Sequence, residues 1–334
     1  MLNKKRSFLK TAISITVSVV LLATAAWVLL NRQFVVDQIS VWQYTPSPQI
    51  ASISQKAGMS DKGTFYFYAS NPAINNAAEF NVNCQRQEAQ AAILGCYANR
   101  SIYVYDVNNA ELSGIEEVTA AHETLHAAWD RLSDEDKSAT GVLLEKAYAS
   151  INDPALTERM DYYARNEPGE RTNELHSILG TEYPNIGTEL EAYYKTYFSD
   201  RSKVVALHTN YNSIFKDLRT QSDTLLSDIQ SRKAVLDKDI ATYNTSADSL
   251  EADYNALKAT ESSLDRTSAS QVNAYNAKLS ALRVRSNNLS TLRSNILALQ
   301  AAYNVQVTSY NKLVVVSNNL ASSLDSTLST SPDL

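Results

Sequence analysis

Residues 64–70 read TFYFYAS and residues 101–107 read SIYVYDV. Aromatic and β-branched side chains fit a pleated, half-buried surface, so both stretches are expected as strands, with GCYANR (95–100) as the turn before the second. After residue 114 the pattern becomes helical. Ser133 and Asp136 stand where a capping box stands, with Asp in place of Glu, and Asn152-Asp153-Pro154 opens a further helix with Pro in its first turn. Strands followed by helices predict an α+β domain over residues 64–200. Residues 31–63 read as a connector: FVVDQISVWQY packs on something, TPSPQ is a kinked extended piece, and ASISQKAGMSDKG is a short helix closed by Gly63.

Downstream of that domain, neither Gly nor Pro occurs between Gly187 and Pro332. Ile229, Leu236, Tyr243, Leu250, Leu257 and Leu264 recur at heptad spacing, with Ile240, Ala247 and Tyr254 four residues after members of the series. A second series runs Tyr275, Leu282, Leu289, Ile296, Tyr303 and Tyr310, flanked by Leu292, Leu299 and Leu313. The polar DRTSASQ (265–271) separates the two. The first arm is rich in Asp and Glu and the second in Lys and Arg, so residues 201–331 are expected as an antiparallel coiled-coil hairpin, with a parallel dimer of one continuous helix as the alternative. Such a hairpin either binds a protein partner or self-associates.

At the other end, MLNKKRSFLK precedes TAISITVSVVLLATAAWVLL (11–30), an uncharged run of about bilayer-spanning length. Lys4, Lys5, Arg6 and Lys10 lie before it and only Arg32 close behind. The charge bias predicts a cytoplasmic tail (1–10), one transmembrane helix (11–30) and everything after residue 31 outside the cell membrane. Ala23-Thr24-Ala25 leaves open a cleaved signal peptide, which delivers the chain to the same compartment. Only two cysteines are present, and Cys84 and Cys96 are expected as a disulfide there, two free thiols being the alternative. The 334 residues suffice for about two folded units, and a net charge of −6 argues against nucleic acid as the partner.

The chemistry is concentrated in TAAHETLHAAW (119–129). His122 and His126 are one helical turn apart, which lets two imidazoles converge on one ion, and Glu123 is placed to take a proton from a water. Val118, Leu125, Trp129 and Leu132 set the same helix against a core. The alternative is a pair of core histidines. A catalytic zinc needs a third protein ligand and an open position. EPGERTNELHSILGTE (167–182) offers Glu174 and His176, which are about 200° apart around a helix and cannot both face one ion.

TAAHETLHAA with this downstream segment resembles the zincin metallopeptidases. Asn173-Glu174 followed by Ser177 is similar to the N-E-x-x-S-D ligand segment of the gluzincins, with Ile178 where the Asp stands. The resemblance implies an α+β zincin-like catalytic domain and a zinc ion on His122, His126 and, in preference to His176, Glu174. It also implies Glu123 as general base, His176 or Tyr183 as donor to the developing oxyanion, and SIYVYDV as the strand beside which a peptide lies. Arg171 is expected in a surface salt bridge and His208 in a solvated position. The function expected is that of a membrane-anchored, extracytoplasmic zinc peptidase. The rivals are an anchored coiled-coil interaction protein with an inactive or structural zinc domain, and a zinc hydrolase of a non-peptide envelope bond.

Overall fold

The computed structural model describes residues 2–84 and 93–327, with side chains from residue 14 onward. The chain divides into two compact units, Met1–Ile214 with Leu320–Leu334, and Phe215–Asn319. In the first unit the described helices are α1 (Leu2–Leu30), α2 (Arg32–Gln43), α3 (Pro48–Lys56), α4 (Asp61–Ala69), α5 (Ala77–Asn83), α6 (Ile115–Asp130), α7 (Asp134–Ser150), α8 (Pro154–Asn166), α9 (Arg171–Thr181), α10 (Thr188–Tyr194) and the start of α11 (Arg201–Ala259). Three short strands, β1 (Ala73–Asn75), β2 (Gly95–Ala98) and β3 (Ser101–Tyr105), form one sheet in the order β1-β3-β2.

This overturns the expected α+β zincin-like domain. The decisive segment, TFYFYAS, lies in α4. Ser60 caps that helix by accepting the Gly63 N–H at 3.0 Å, and Asp61 occupies the first turn, where an acid suits the helix dipole. Its start is fastened to the chain before α11: the Ser60 N–H donates to the Tyr197 carbonyl at 2.9 Å, and Met59 bridges Phe198. A Cβ on Gly63 would lie 2.1 Å from that same carbonyl, so only glycine permits the approach. Phe67 is fully buried while its aromatic neighbours are half-buried, a helical rather than an alternating distribution. Cap and tertiary contact outweigh intrinsic β propensity.

SIYVYDV does contain a strand, β3, parallel to β1 and antiparallel to β2. Ile102 and Val104 point into the core. GCYA, expected within a turn, is β2, and the reversal is the two-residue Asn99-Arg100. Both have positive φ, 51° and 65°, the requirement of a tight hairpin whose twist matches its strands. With both its edges paired, β3 offers no edge to a substrate. The outer edges belong to β1 and β2.

The expected transmembrane helix is also corrected. Among the described residues no single helix is long and apolar enough to cross a membrane; Ser14–Leu30 and Arg32–Gln43 pass only as a pair bent by 85°. The chain then turns at Asn31 into α2, which carries Asp37 into the folded unit. Asp37 is 1% exposed and pairs with Arg131 (Nε–Oδ2 2.9 Å, Nη2–Oδ1 2.8 Å) and Arg100 (3.1 Å). α3 runs from Pro48 to Lys56 under a Ser47 cap and gives way at Gly58, φ +68°. Ile50, Ile53, Ala57 and Met59 enter the same core as Leu125, Ile178, Leu179 and Tyr194.

α6 packs along α9 at the centre of this unit. Ala120, Ala121, Ala127 and Ala128 keep the α6 face thin, and Leu175, Ile178 and Leu179 of α9 are completely buried. The closest approach is at Gly180, where a Cβ would sit 2.3 Å from Leu125 Cδ1 and 2.9 Å from Tyr194 Cε1.

The second unit comprises the remainder of α11 and most of α12 (Ala269–Leu324). Gln306 bonds Asp228 at 3.2 Å while Arg285 bonds Asp253 at 2.5 Å and Ser249 at 3.1 Å, so partners run in opposite directions along the two helices: an antiparallel hairpin. Leu236, Leu257 and Ile296 are its most buried side chains. Ile240 and Tyr254, expected in the seam, are instead 38% and 52% exposed. The companion seam positions are Leu225, Arg232, Asp239 and Ser246, each four residues before the next member of the first series.

Candidate metal centre

The α6–α9 contact brings together the groups that the sequence separates by about fifty positions. His122, Glu123 and His126 on α6 place their ligand atoms within 4.8 Å of one another. The rings of His122 and His126 lie 4.8 Å apart at 75°. Glu174 of α9 faces both, one oxygen 3.6 Å from His122 Nε2 and the other 3.5 Å from His126 Nε2. All three side chains are nearly sealed, 11–16% exposed.

These separations fit a metal better than they fit a hydrogen bond. Donors about 2.0–2.1 Å from a tetrahedral zinc lie about 3.4 Å from each other, close to both N···O distances. His126 is oriented for the role. Its Nδ1 is 2.9 Å from Asn173 Oδ1 and 3.3 Å from Ser177 Oγ, and Asn173 Nδ2 in turn donates to Glu170 Oε2 at 2.9 Å. With its proton on Nδ1, toward Asn173 Oδ1, His126 would offer Nε2 to an ion. Two imidazoles, one carboxylate and an outer amide make a donor set of zinc character.

Glu123 joins this cluster from the side of β2. Its side chain packs against Gly95, where a Cβ would come within 2.9 Å of Glu123 Cγ and 2.5 Å of Thr119 Cγ2, and its carboxylate accepts the Tyr97 backbone N–H. Burial pushes the Glu123 carboxyl above the ordinary range, against the pull of both imidazoles. For Glu174 burial acts the same way, but the nearby His122 and His126 rings, when charged, overcome it and hold the group down at about 2. The two carboxyls are thus driven in opposite directions.

His176, two positions from Glu174, points the opposite way. It is fully buried, its Nε2 2.9 Å from Tyr193 Oη and its ring against Trp129 and Tyr194. Tyr183 is likewise outside the centre, its hydroxyl donating to Asp153 Oδ2 at 2.7 Å. Arg171 pairs with Glu145 and lies over the Tyr148 ring. His208, expected in solvent, is 16% exposed, 3.5 Å from Glu182 and edge-on to Tyr211.

A cleft of about 480 Å³ opens over Glu174 and the two imidazoles. Residues 93–97 form one wall; Arg159, Tyr163, Glu182 and Tyr211 stand on the other side. Tyr163 stands beside Glu174 and Arg159, and its hydroxyl is raised above its ordinary range by burial and by the Glu174 charge. Arg159 holds Glu182 through one nitrogen at 3.0 and 2.9 Å. The sequence analysis missed Arg159 and Tyr163. The signal was there: they are four residues apart on the helix that Asp153-Pro154 opens, hence on one face of α8.

Comparison with family models, curated proteins and solved structures finds no match.

Proposed function

We propose that the chain is a zinc-dependent peptidase acting through a water activated beside Glu123. The observation that carries this is the convergence of His122, His126 and Glu174, with a fourth group, the buried Glu123 carboxyl, beside the two imidazoles. A purely structural site has no use for that fourth group. Zinc held there would polarise a substrate carbonyl and acidify a water to a pKa of about 7.

The chain's own groups supply the rest. An extended peptide lies along the Ile93–Tyr97 wall, beside the open edge of β2. Glu123 takes the proton of the water as its oxygen bonds to the peptide carbonyl carbon, then delivers that proton to the amide nitrogen as the C–N bond breaks. Asn173 keeps His126 in the ligating tautomer. Tyr163, in place of His176 or Tyr183, gives the developing oxyanion a hydroxyl donor, with the Arg159 charge behind it.

The Cys84–Cys96 disulfide joins the β2 wall to the end of α5 and supports work in an oxidising, extracytoplasmic compartment. The exposed apolar side chains of α1, among them Ile15, Leu21, Leu22 and Leu29, support association with the cell membrane. The test is metal analysis together with hydrolysis of a broad peptide library by wild type and Glu123→Gln. Bound zinc in both proteins, with cleavage by the wild type alone, is the expected result. A wild type that carries zinc yet cleaves no peptide would sink the peptidase assignment.

A further inference from the structure

The hairpin carries a second apolar row that its own two helices do not use. Leu226, Lys233, Ile240, Ala247, Tyr254 and Glu261 follow at heptad spacing along one flank of α11 and into the turn after it. Leu226, Ile240 and Tyr254 are 40%, 38% and 52% exposed. Ala247 and Tyr254 edge a groove of about 530 Å³ floored by Leu250, Leu279, Leu282 and Leu289.

We propose that this groove takes a second copy of the same chain, α11 antiparallel to α11 about a two-fold axis at Ala247. This does not depend on the metal centre. About Ala247 the row sets apolar on apolar one heptad out and opposite charges two heptads out. The smallest residue stands at the crossing, where backbones must approach most closely. Ile240 and Tyr254 stand one heptad to either side, so each meets the other across the axis. Lys233 and Glu261 stand two heptads out, so each cation meets an anion, twice per dimer. A two-fold interface demands one patch that is both knob and hole, and Tyr254 beside the leucine-floored groove is such a patch. A parallel partner would instead set Lys233 on Lys233 and Glu261 on Glu261. The intramolecular partners of these charges are lightly held: Lys233 with Asp237 is a surface pair, and Glu261 meets Arg266 only at 3.9 Å.

The experiment uses full-length protein in mild detergent. Both native cysteines are in the disulfide, so an introduced thiol reacts alone. Ala247→Cys, oxidised by dissolved oxygen with copper phenanthroline, joins two thiols into one disulfide, the two electrons and two protons passing to oxygen. It is expected to give a covalent dimer, and Thr242→Cys, on the opposite flank, is not. By sedimentation equilibrium Lys233→Glu and Glu261→Lys are each expected to weaken the dimer roughly tenfold, and the double charge swap to restore it within about twofold. Monomer at all concentrations, equal cross-linking at both positions, or a double variant no tighter than the singles would each overturn the proposal.

Discussion

Gly180→Ala tests the α6–α9 contact on which the metal centre depends. In an exposed helix the change is favourable by about 1 kcal/mol, because alanine is the better helix former. Here the added methyl would start 2.3 Å from Leu125 Cδ1 and 2.9 Å from Tyr194 Cε1. Ordinary carbon contacts lie at about 3.5–4.0 Å, so the helices must part by more than about 1 Å or Leu125 must leave its rotamer. Overpacking of this kind costs about 1–3 kcal/mol, enough to reverse the propensity gain and lower the melting temperature by a few degrees. Leu125 adjoins His126 and Gly180 shares a helix with Glu174, so the same parting stretches the 3.5 and 3.6 Å N···O distances beyond what one ion can span. Zinc affinity, measured by competition with a chromophoric chelator, should fall at least tenfold. Gly141→Ala in α7 is the control: its Cβ would meet only Thr172 Cγ2 at 3.6 Å, an ordinary contact, and the variant should be stabilised by about 0.5–1 kcal/mol. Thermal unfolding followed by near-ultraviolet circular dichroism reads both. A Gly180→Ala protein as stabilised as Gly141→Ala, with zinc affinity intact, would refute the packing argument.

Three further outcomes follow from the site. Asn173→Ala frees the His126 tautomer and should weaken zinc binding about 10–100-fold in the same chelator competition, whereas His176→Gln should leave it nearly unchanged; the reverse order would move the third ligand to His176. Tyr163→Phe should lower kcat about 100-fold with KM little altered, because the hydroxyl is asked to act on the developing oxyanion; equal loss from Tyr183→Phe would remove that distinction. Burial among Trp129, Tyr193 and Tyr194, helped by the charges of His126 and His122, holds His176 at about 3. An unfolded His binds a proton below about pH 6.5 while the folded one stays neutral. The stability present above pH 6.5 is therefore lost as pH falls, by about 2 kcal/mol at pH 5. Urea midpoints of metal-free protein between pH 7 and 5 should fall less steeply in His176→Gln, and parallel slopes would contradict the burial argument.

What the sequence could and could not disclose follows from how far apart the interacting groups are. The facing of His122 and His126 on α6 was legible because four-residue spacing fixes a shared helix face whatever surrounds it. Glu174 against His176 was legible in outline, because two residues on one helix cannot face one ion, but which of them faced α6 was set by Leu175, Ile178 and Gly180 packing on Leu125. The seam of the hairpin was half legible. The first series is buried as its period demands, yet its companions lie on the side where Arg232 and Asp239 stand, since the partner helix and not the heptad decides which flank turns inward. That displacement is what leaves Ile240 and Tyr254 exposed.

TFYFYAS misled for a different reason. Its side chains suit either state, and the deciding terms lie outside the window: the Ser60 cap on one side, and the Tyr197 carbonyl more than a hundred residues away on the other. Ser60 and Asp61 are, however, a helix start that can be read without any structure, although Gly63 reads as the end of the preceding helix. The glycine is there for the contact with Tyr197, not for a stop. If that argument is right, Ser60→Ala should cost about 1 kcal/mol through loss of the cap, and Gly63→Ala should cost more than Ser60→Ala, because no rotamer moves a Cβ away from a backbone oxygen. A protein that tolerates Gly63→Ala at no cost in its urea midpoint would show that the aromatic segment, and not its fastening to Tyr197, determines the helix.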